Sequence, residues 1–312
     1  MLPTDAGLLE RVVSHATGQR AVGWCRIVGG ETNEVHLATL EQGDEVVVRI
    51  SRRGSACRFE SEQWAVAAAR DVGVAVPEIL VVERTADDAG DVAVCVERRI
   101  AGRSLHEVDD AAARERLTGL AGEMVARLHL VEMSGCGWVR PDGTAPAPSW
   151  ERVIHLGATP AQLDALCAQA ERYDIPTAWV RAAADEVERH DSLLSPIEPR
   201  LLHGDLSPNH VLTDGERITG LLDFEQTFAG DPAFELVRWD YFYEAAPVEW
   251  LVAGYERVAT FGEERELRRR LGRLRLHLAL IDVYGAMRHD IAMGVVRRRF
   301  EDDADWFGFT GM

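Results

Sequence analysis

Ten residues in the second half of the chain, HGDLSPNHVL from His203 to Leu212, combine two histidines, an aspartate and an asparagine. Gly204 and Pro208 mark the stretch as a loop, and Asp205 is its only carboxylate. A second aspartate, Asp223, closes the apolar run ITGLLDF. A strand, a turn and a strand between two carboxylates can return both to one place. A tight turn at Asp214-Gly215 would carry Asp223 past that place, so a wider loop over Asp214 to Arg217 is expected. Singly, either aspartate reads as a turn former or a helix cap. Together they suit a base that deprotonates an alcohol (Asp205) and a ligand for magnesium (Asp223).

Other residues extend that pair toward phosphoryl transfer, in which a protein mainly positions the nucleophile and neutralises charge. Gly29 and Gly30 interrupt two alternating runs in RIVGGETNEVHLATL, where a glycine turn lets backbone approach phosphates or simply forms a hairpin. Arg49 lies on the opposite face of EVVVRIS from Val48 and Ile50, suited to α- and β-phosphates or to solubilising an edge strand. Glu62, in the helical stretch that follows, is placed to hold Arg49.

The elements that must position these residues change in kind along the chain. MLPTDAGLLERVVSHATGQR reads as an amphipathic helix rather than a signal peptide. Strands and one helix, RFESEQWAVAAARDVGV, fill the first hundred residues, ending in the apolar runs EILVVE and VAVCVERRI. From AGRSL to about Arg200 apolar residues recur at helical spacing, broken by the loop GCGWVRPDGTAPAPSW. Two short strands around the loop of Asp205 and further helices complete the pattern. It predicts an α+β fold in two lobes, 1–100 and 101–312, with a ligand cleft between them.

Composition narrows the partners. With 52 acidic and 34 basic residues the formal charge is −18, and because the sequence contains no lysine every basic residue is arginine. That balance argues against nucleic-acid binding; the acidic surface either attracts a cationic small molecule or simply keeps the protein soluble. Arginine must then do any work that lysine usually does, gripping phosphate oxygens with a planar fork. Five cysteines without paired spacing argue against a disulfide framework or a structural zinc site and for a reducing cytoplasm; no apolar run is long enough to span a membrane.

These motifs together resemble the aminoglycoside phosphotransferases and related antibiotic kinases, which share a bilobal protein-kinase-like fold. The resemblance runs through VGGETNEV, VVVRI, VERRIAGRSL, ARLHLVE, HGDLSPNHVL and LLDFEQTFAGDPAFEL. It implies a nucleotide loop at Gly29 and Gly30, Arg49 in the place of a lysine, Glu62 as its partner, and a hinge that includes Val96 and Arg98. It also implies Asp205 as catalytic base, a metal segment at Asp223, ATP or GTP as donor, and Mg2+. The family's second metal ligand falls at His210, five residues after Asp205, with Asn209 displaced by one. Histidine there is similar to the kinases of 2''-hydroxyls and of macrolides. Glu235 replaces a more usual aspartate and is expected to be structural. The segment DGERITGLLDF and the C-terminal helices also resemble hygromycin-type kinases.

For the acceptor, Asp240 and Glu244 share a helix face, either solvated or awaiting a cation. Asp282 interrupts the apolar helix LHLALIDVYGAM, where it needs a substrate amine or an internal partner such as Arg275 or Arg288. The expected acceptor is a cationic aminoglycoside; a macrolide kinase and a nucleotide-binding scaffold are the alternatives.

Overall fold

The computed structural model describes residues 4–27, 33–87, 89–154, 160–172, 174–189, 197–243, 245–261, 267, 270–275 and 277–278. Asp5 caps the first helix, α1 (Ala6–Thr17), by accepting the Leu8 N–H, and Gly18 ends it in the left-handed conformation. Its buried stripe of Leu8, Leu9, Val12 and Val13 lies on a five-stranded antiparallel sheet. The strands are β1 (Ala21–Ile27), β2 (Glu34–Leu40), β3 (Glu45–Ser51), β4 (Ile79–Asp87) and β5 (Gly90–Arg98), in the order β1-β2-β3-β5-β4, with α2 (Phe59–Asp71) inserted after β3.

Period-2 alternation gives this sheet two different faces. Val46, Val48 and Ile50 of β3 join Val92, Val94 and Val96 of β5 against α1. Arg49 and its cross-strand neighbour Cys95 take the other face, beside Phe59 and the start of α2.

Among the described residues beyond Arg98, helices outweigh strands. The chain forms β6 (Arg103–Ser104), α3 (Ala111–Leu128), β7 (Gly137–Trp138), α4 (Glu151–Ile154), α5 (Pro160–Glu171), α6 (Thr177–Arg189), β8 (Arg200–Leu202), β9 (Val211–Thr213), β10 (Ile218–Leu221), β11 (Phe228–Gly230), α7 (Ala233–Phe242) and α8 (Val248–Tyr255). The short strands make two three-stranded sheets, β10-β9-β6 and β7-β11-β8. Helices α3 and α8 cross so closely that a Cβ on Gly254 would sit 1.7 Å from the Gly119 carbonyl oxygen. The largest core runs from α2 through α3 to Leu206, Phe224, Leu236 and Trp239, so it supports both ends of the Asp205–Asp223 segment.

The α+β pattern and the strand and helix order of the first hundred residues follow the sequence expectation. The wide loop is present too: Asp214 accepts the N–H groups of Glu216 and Arg217 at 2.9 Å each, and these bonds hold its carboxyl down at about 2.

Candidate active site

The loop between β8 and β9 is fixed by its backbone. The buried His203 donates from Nε2 to the Leu222 carbonyl at 2.7 Å, and its Nδ1 accepts the Asp205 N–H at 3.2 Å. Burial pushes the pKa of this ring down, consistent with a neutral imidazole that has one donor and one acceptor. Gly204 adopts φ +82°, and a Cβ there would lie 1.9 Å from the Gln226 carbonyl oxygen, so only glycine fits. The fully buried carboxylate of Glu235, on α7, accepts the N–H groups of His203 and Gly204 at 2.9 Å each. Burial pushes the Glu235 pKa up, but hydrogen bonding and the nearby histidines outweigh it and bring it below its ordinary value. The expected structural role of Glu235 thus has a concrete form: it is the clamp of the loop.

Asp205 lies at the loop's open side, its Oδ1 accepting from Nη2 of Arg238 at 3.0 Å. Its carbonyl accepts from His210 Nδ1 at 2.9 Å. A carbonyl only accepts, so Nδ1 carries the proton and the Nε2 lone pair is left for another partner. That atom lies 3.7 Å from Oδ2 of Asp223. His210 is thus brought to Asp223, and its neighbour Asn209 is exposed. Asp223 itself sits at φ 65°, ψ 65°, a strained left-handed position for a non-glycine residue and of a kind that gathers at functional sites.

Arg49 meets this end of the site from β3. It lies 2.6 Å from Glu62, 3.4 Å from Glu97, 3.9 Å from Asp223 and 4.0 Å from Glu225. Glu225 is also paired with Arg53 at 3.3 Å and accepts a hydrogen bond from Asn33. Two arginines therefore face four carboxylates. Burial, opposed by Arg49 and reinforced by Glu97, pushes Glu62 up to about 8, and burial raises Glu97 and Glu225 as well. Such a surplus of carboxylates favours taking up a cation.

Among the described residues no three His, Cys, Asp or Glu side chains gather into a metal cage. Magnesium does not require one: it keeps waters and binds through one or two protein ligands together with phosphates. An Asp223 oxygen and the correctly tautomerised Nε2 of His210 fit that demand, the nitrogen being the less usual donor for this ion.

The remaining expected site residues fall differently. Gly29, Gly30, Glu244 and Asp282 lie outside the described residues. Val96 and Arg98 are not brought to the cluster. The Val96 side chain is packed under α1, and Arg98 makes surface pairs with Glu78 at 2.8 Å and Asp44 at 3.9 Å. Strand alternation instead sends Glu97, between them, to Arg49. Asp240 already has a cationic partner, Arg275 at 2.5 Å, while burial raises its pKa. Sequence reasoning missed Glu97, Glu225 and Arg238. Glu97 has a signal, because it shares the strand face of Cys95, the partner of Arg49. Arg238 has a weaker one, three residues after Glu235 on a helix.

Comparison with known proteins identifies the fold and the family. The family model described as "Phosphotransferase enzyme family" (APH) matches residues 23–270. Hygromycin-B 4-O-kinase of Escherichia coli is 27% identical over 165 residues, covering 52% of this chain and 46% of that protein, so the match spans about half of the curated relative's length. A thermostable mutant of aminoglycoside phosphotransferase APH(4)-Ia, in ternary complex with AMP-PNP and hygromycin B, superposes with TM-score 0.72 at 20% identity, covering 95% of this chain and 98% of that one. Macrolide 2'-phosphotransferase MphH from Brachybacterium faecium gives 0.59 at 20% identity, covering 96% and 98%. The fold is that of the protein-kinase-like antibiotic phosphotransferases, and the chain belongs to the phosphotransferase enzyme family.

Proposed function

We propose that this chain transfers the γ-phosphoryl group of ATP to a hydroxyl of an aminoglycoside, and so acts as an antibiotic-inactivating kinase. The carrying observation is one continuous line of contacts from Asp205 through His210 and Asp223 to Arg49 and Glu62. In this reading residues 1–100 bind nucleotide, residues 101–312 carry catalysis and acceptor binding, and the setting is cytoplasmic. Among the described residues no helix is long and apolar enough to cross a membrane.

Asp205 accepts the hydroxyl proton as the acceptor oxygen bonds the γ-phosphorus, and nucleoside diphosphate leaves with the electron pair of the broken P–O bond. His210 and Asp223 would hold magnesium, which would neutralise phosphate charge when bound. Arg49, held by Glu62, meets the α- and β-phosphates, while Gly29 and Gly30 bring backbone to them; Val96 and Arg98 contribute main chain at the hinge. Asp240, Glu244 and Asp282 receive the acceptor's ammonium groups, with Arg275 giving way at Asp240.

An aminoglycoside is favoured over a macrolide by the similarity to hygromycin-B 4-O-kinase and by the −18 charge, which draws a polycation. The test is ATP and GTP consumption by purified protein against a panel of aminoglycosides, macrolides and metabolite alcohols. Turnover of an aminoglycoside alone supports the reading. Turnover of macrolides reassigns the acceptor, and turnover of nothing makes the chain a scaffold.

A further inference from the structure

Helix α7 presents two oppositely charged side chains to the loop of Asp205. Glu235 takes the backbone N–H groups of His203 and Gly204, and Arg238, three residues later, donates from Nη2 to Oδ1 of Asp205 at 3.0 Å. Positions i and i+3 share a helix face. One face of one helix thus grips three consecutive loop residues, two by their backbone and the third by its carboxylate.

The mounting is rigid. Leu236 and Trp239 of α7 lie in the largest core, Ala233 and Val237 lie in a second one, and Trp239 donates to the Ala246 carbonyl at 2.6 Å. An ion pair between two exposed, flexible side chains would contribute little. Here the arginine side chain is only 24% exposed and is carried by a packed helix.

The χ2 torsion of an aspartate joins sp3 to sp2 carbon and is broad, so an unrestrained Asp205 carboxylate would sample many orientations. A guanidinium on Oδ1 narrows that range and leaves Oδ2 for the acceptor. We infer that Arg238 is a positioning residue for phosphoryl transfer: it sets the plane of the Asp205 carboxylate so that Oδ2 takes the hydroxyl proton. This rests on the reading of Asp205 as the base. Misplacement of a reacting group by about 1 Å costs roughly a hundredfold in rate, which sets the scale of the effect.

The test compares wild type, Arg238→Ala, Arg238→Lys and Asp205→Asn with magnesium, ATP and hygromycin B. The slow hydrolysis of ATP by water, measured without hygromycin B, gives a second readout of the same carboxylate. Arg238→Ala should lower kcat by about 10- to 100-fold while the KM for ATP stays within about twofold. Arg238→Lys should recover part of the loss. Millimolar ethylguanidinium should raise turnover of Arg238→Ala several-fold and leave the double variant with Asp205→Asn unmoved. An unchanged kcat, or a loss that neither lysine nor ethylguanidinium restores in a protein with wild-type melting, overturns the proposal. Asp205→Asn separates the two readings. If it is as active as wild type, the assignment of the base fails and Arg238 with it; if it is inactive beside a fully active Arg238→Ala, only the role of Arg238 fails.

Discussion

Oε1 of Glu62 accepts the backbone N–H of Phe224, 162 residues away in the chain, at 3.1 Å. One carboxylate therefore ties α2 to the residue after Asp223 while its other oxygen faces Arg49 at 2.6 Å. Glu62→Ala should lower unfolding free energy by about 3 kcal/mol, the scale for leaving the buried Arg49 charge without this partner, and should raise the KM for ATP. Urea denaturation and initial-rate kinetics check the two effects.

The same group gives a pH dependence. Burial, with Glu97 adding to it against the pull of Arg49, raises the folded-state pKa of Glu62 from 4.5 to about 8. A raised pKa means that the folded protein binds the proton more tightly than the unfolded chain. Its stabilising contribution is then fully present below about pH 4.5 and is lost as pH rises through about 8. Glu62→Gln should flatten the decline in unfolding free energy across that window, and an identical slope in the two proteins would remove Glu62 as its source.

Asp205→Asn should keep the fold and nucleotide binding yet reduce kcat by at least about a hundredfold, the usual weight of a positioned general base. Rapid-quench assays beside nucleotide titration calorimetry distinguish lost chemistry from lost binding.

The competition between neighbouring loop residues is decided by magnesium titration. His210→Ala should raise the magnesium concentration needed for half-maximal turnover at least about tenfold, whereas Asn209→Ala should leave it within about twofold. The reverse pattern would place the metal on Asn209.

Gly204→Ala should destabilise the protein by at least about 2 kcal/mol, since alanine is strained at φ +82° and its methyl would meet the Gln226 carbonyl. Thermal melts report the loss, and activity should fall with it because Asp205 is the next residue.

How much of this was legible in the sequence depended on the range of the interaction. Helices α1 and α2 and the strands of the large sheet carry strong periodicity over seven to thirteen residues, and their pattern reads directly. Strands β6 and β7 have two residues and β11 has three, too few for alternation to show, so β7 was hidden inside a segment read as loop. Asp205 and Asp223 stood out through local motifs. Glu225 and Arg238 did not, because their importance lies in contacts with Arg53, 172 residues away, and with Asp205, 33 residues away. Val96 and Arg98 fall at the hinge by resemblance alone, whereas Glu97 shares the strand face of Cys95, and the register that sets Cys95 opposite Arg49 turns it toward Arg49.

Arg49 also fixes the chemical vocabulary of the proposed nucleotide site. A chain without lysine carries no side-chain amine anywhere, so acyl-phosphate nucleotide probes and aldehyde warheads, which capture an ε-amino group beside bound phosphates, find no nucleophile here. A guanidinium held at 2.6 Å by Glu62 stays charged and unreactive toward such reagents. Covalent profiling that reports kinases through a labelled lysine would therefore pass over this protein even when its site is fully occupied by nucleotide.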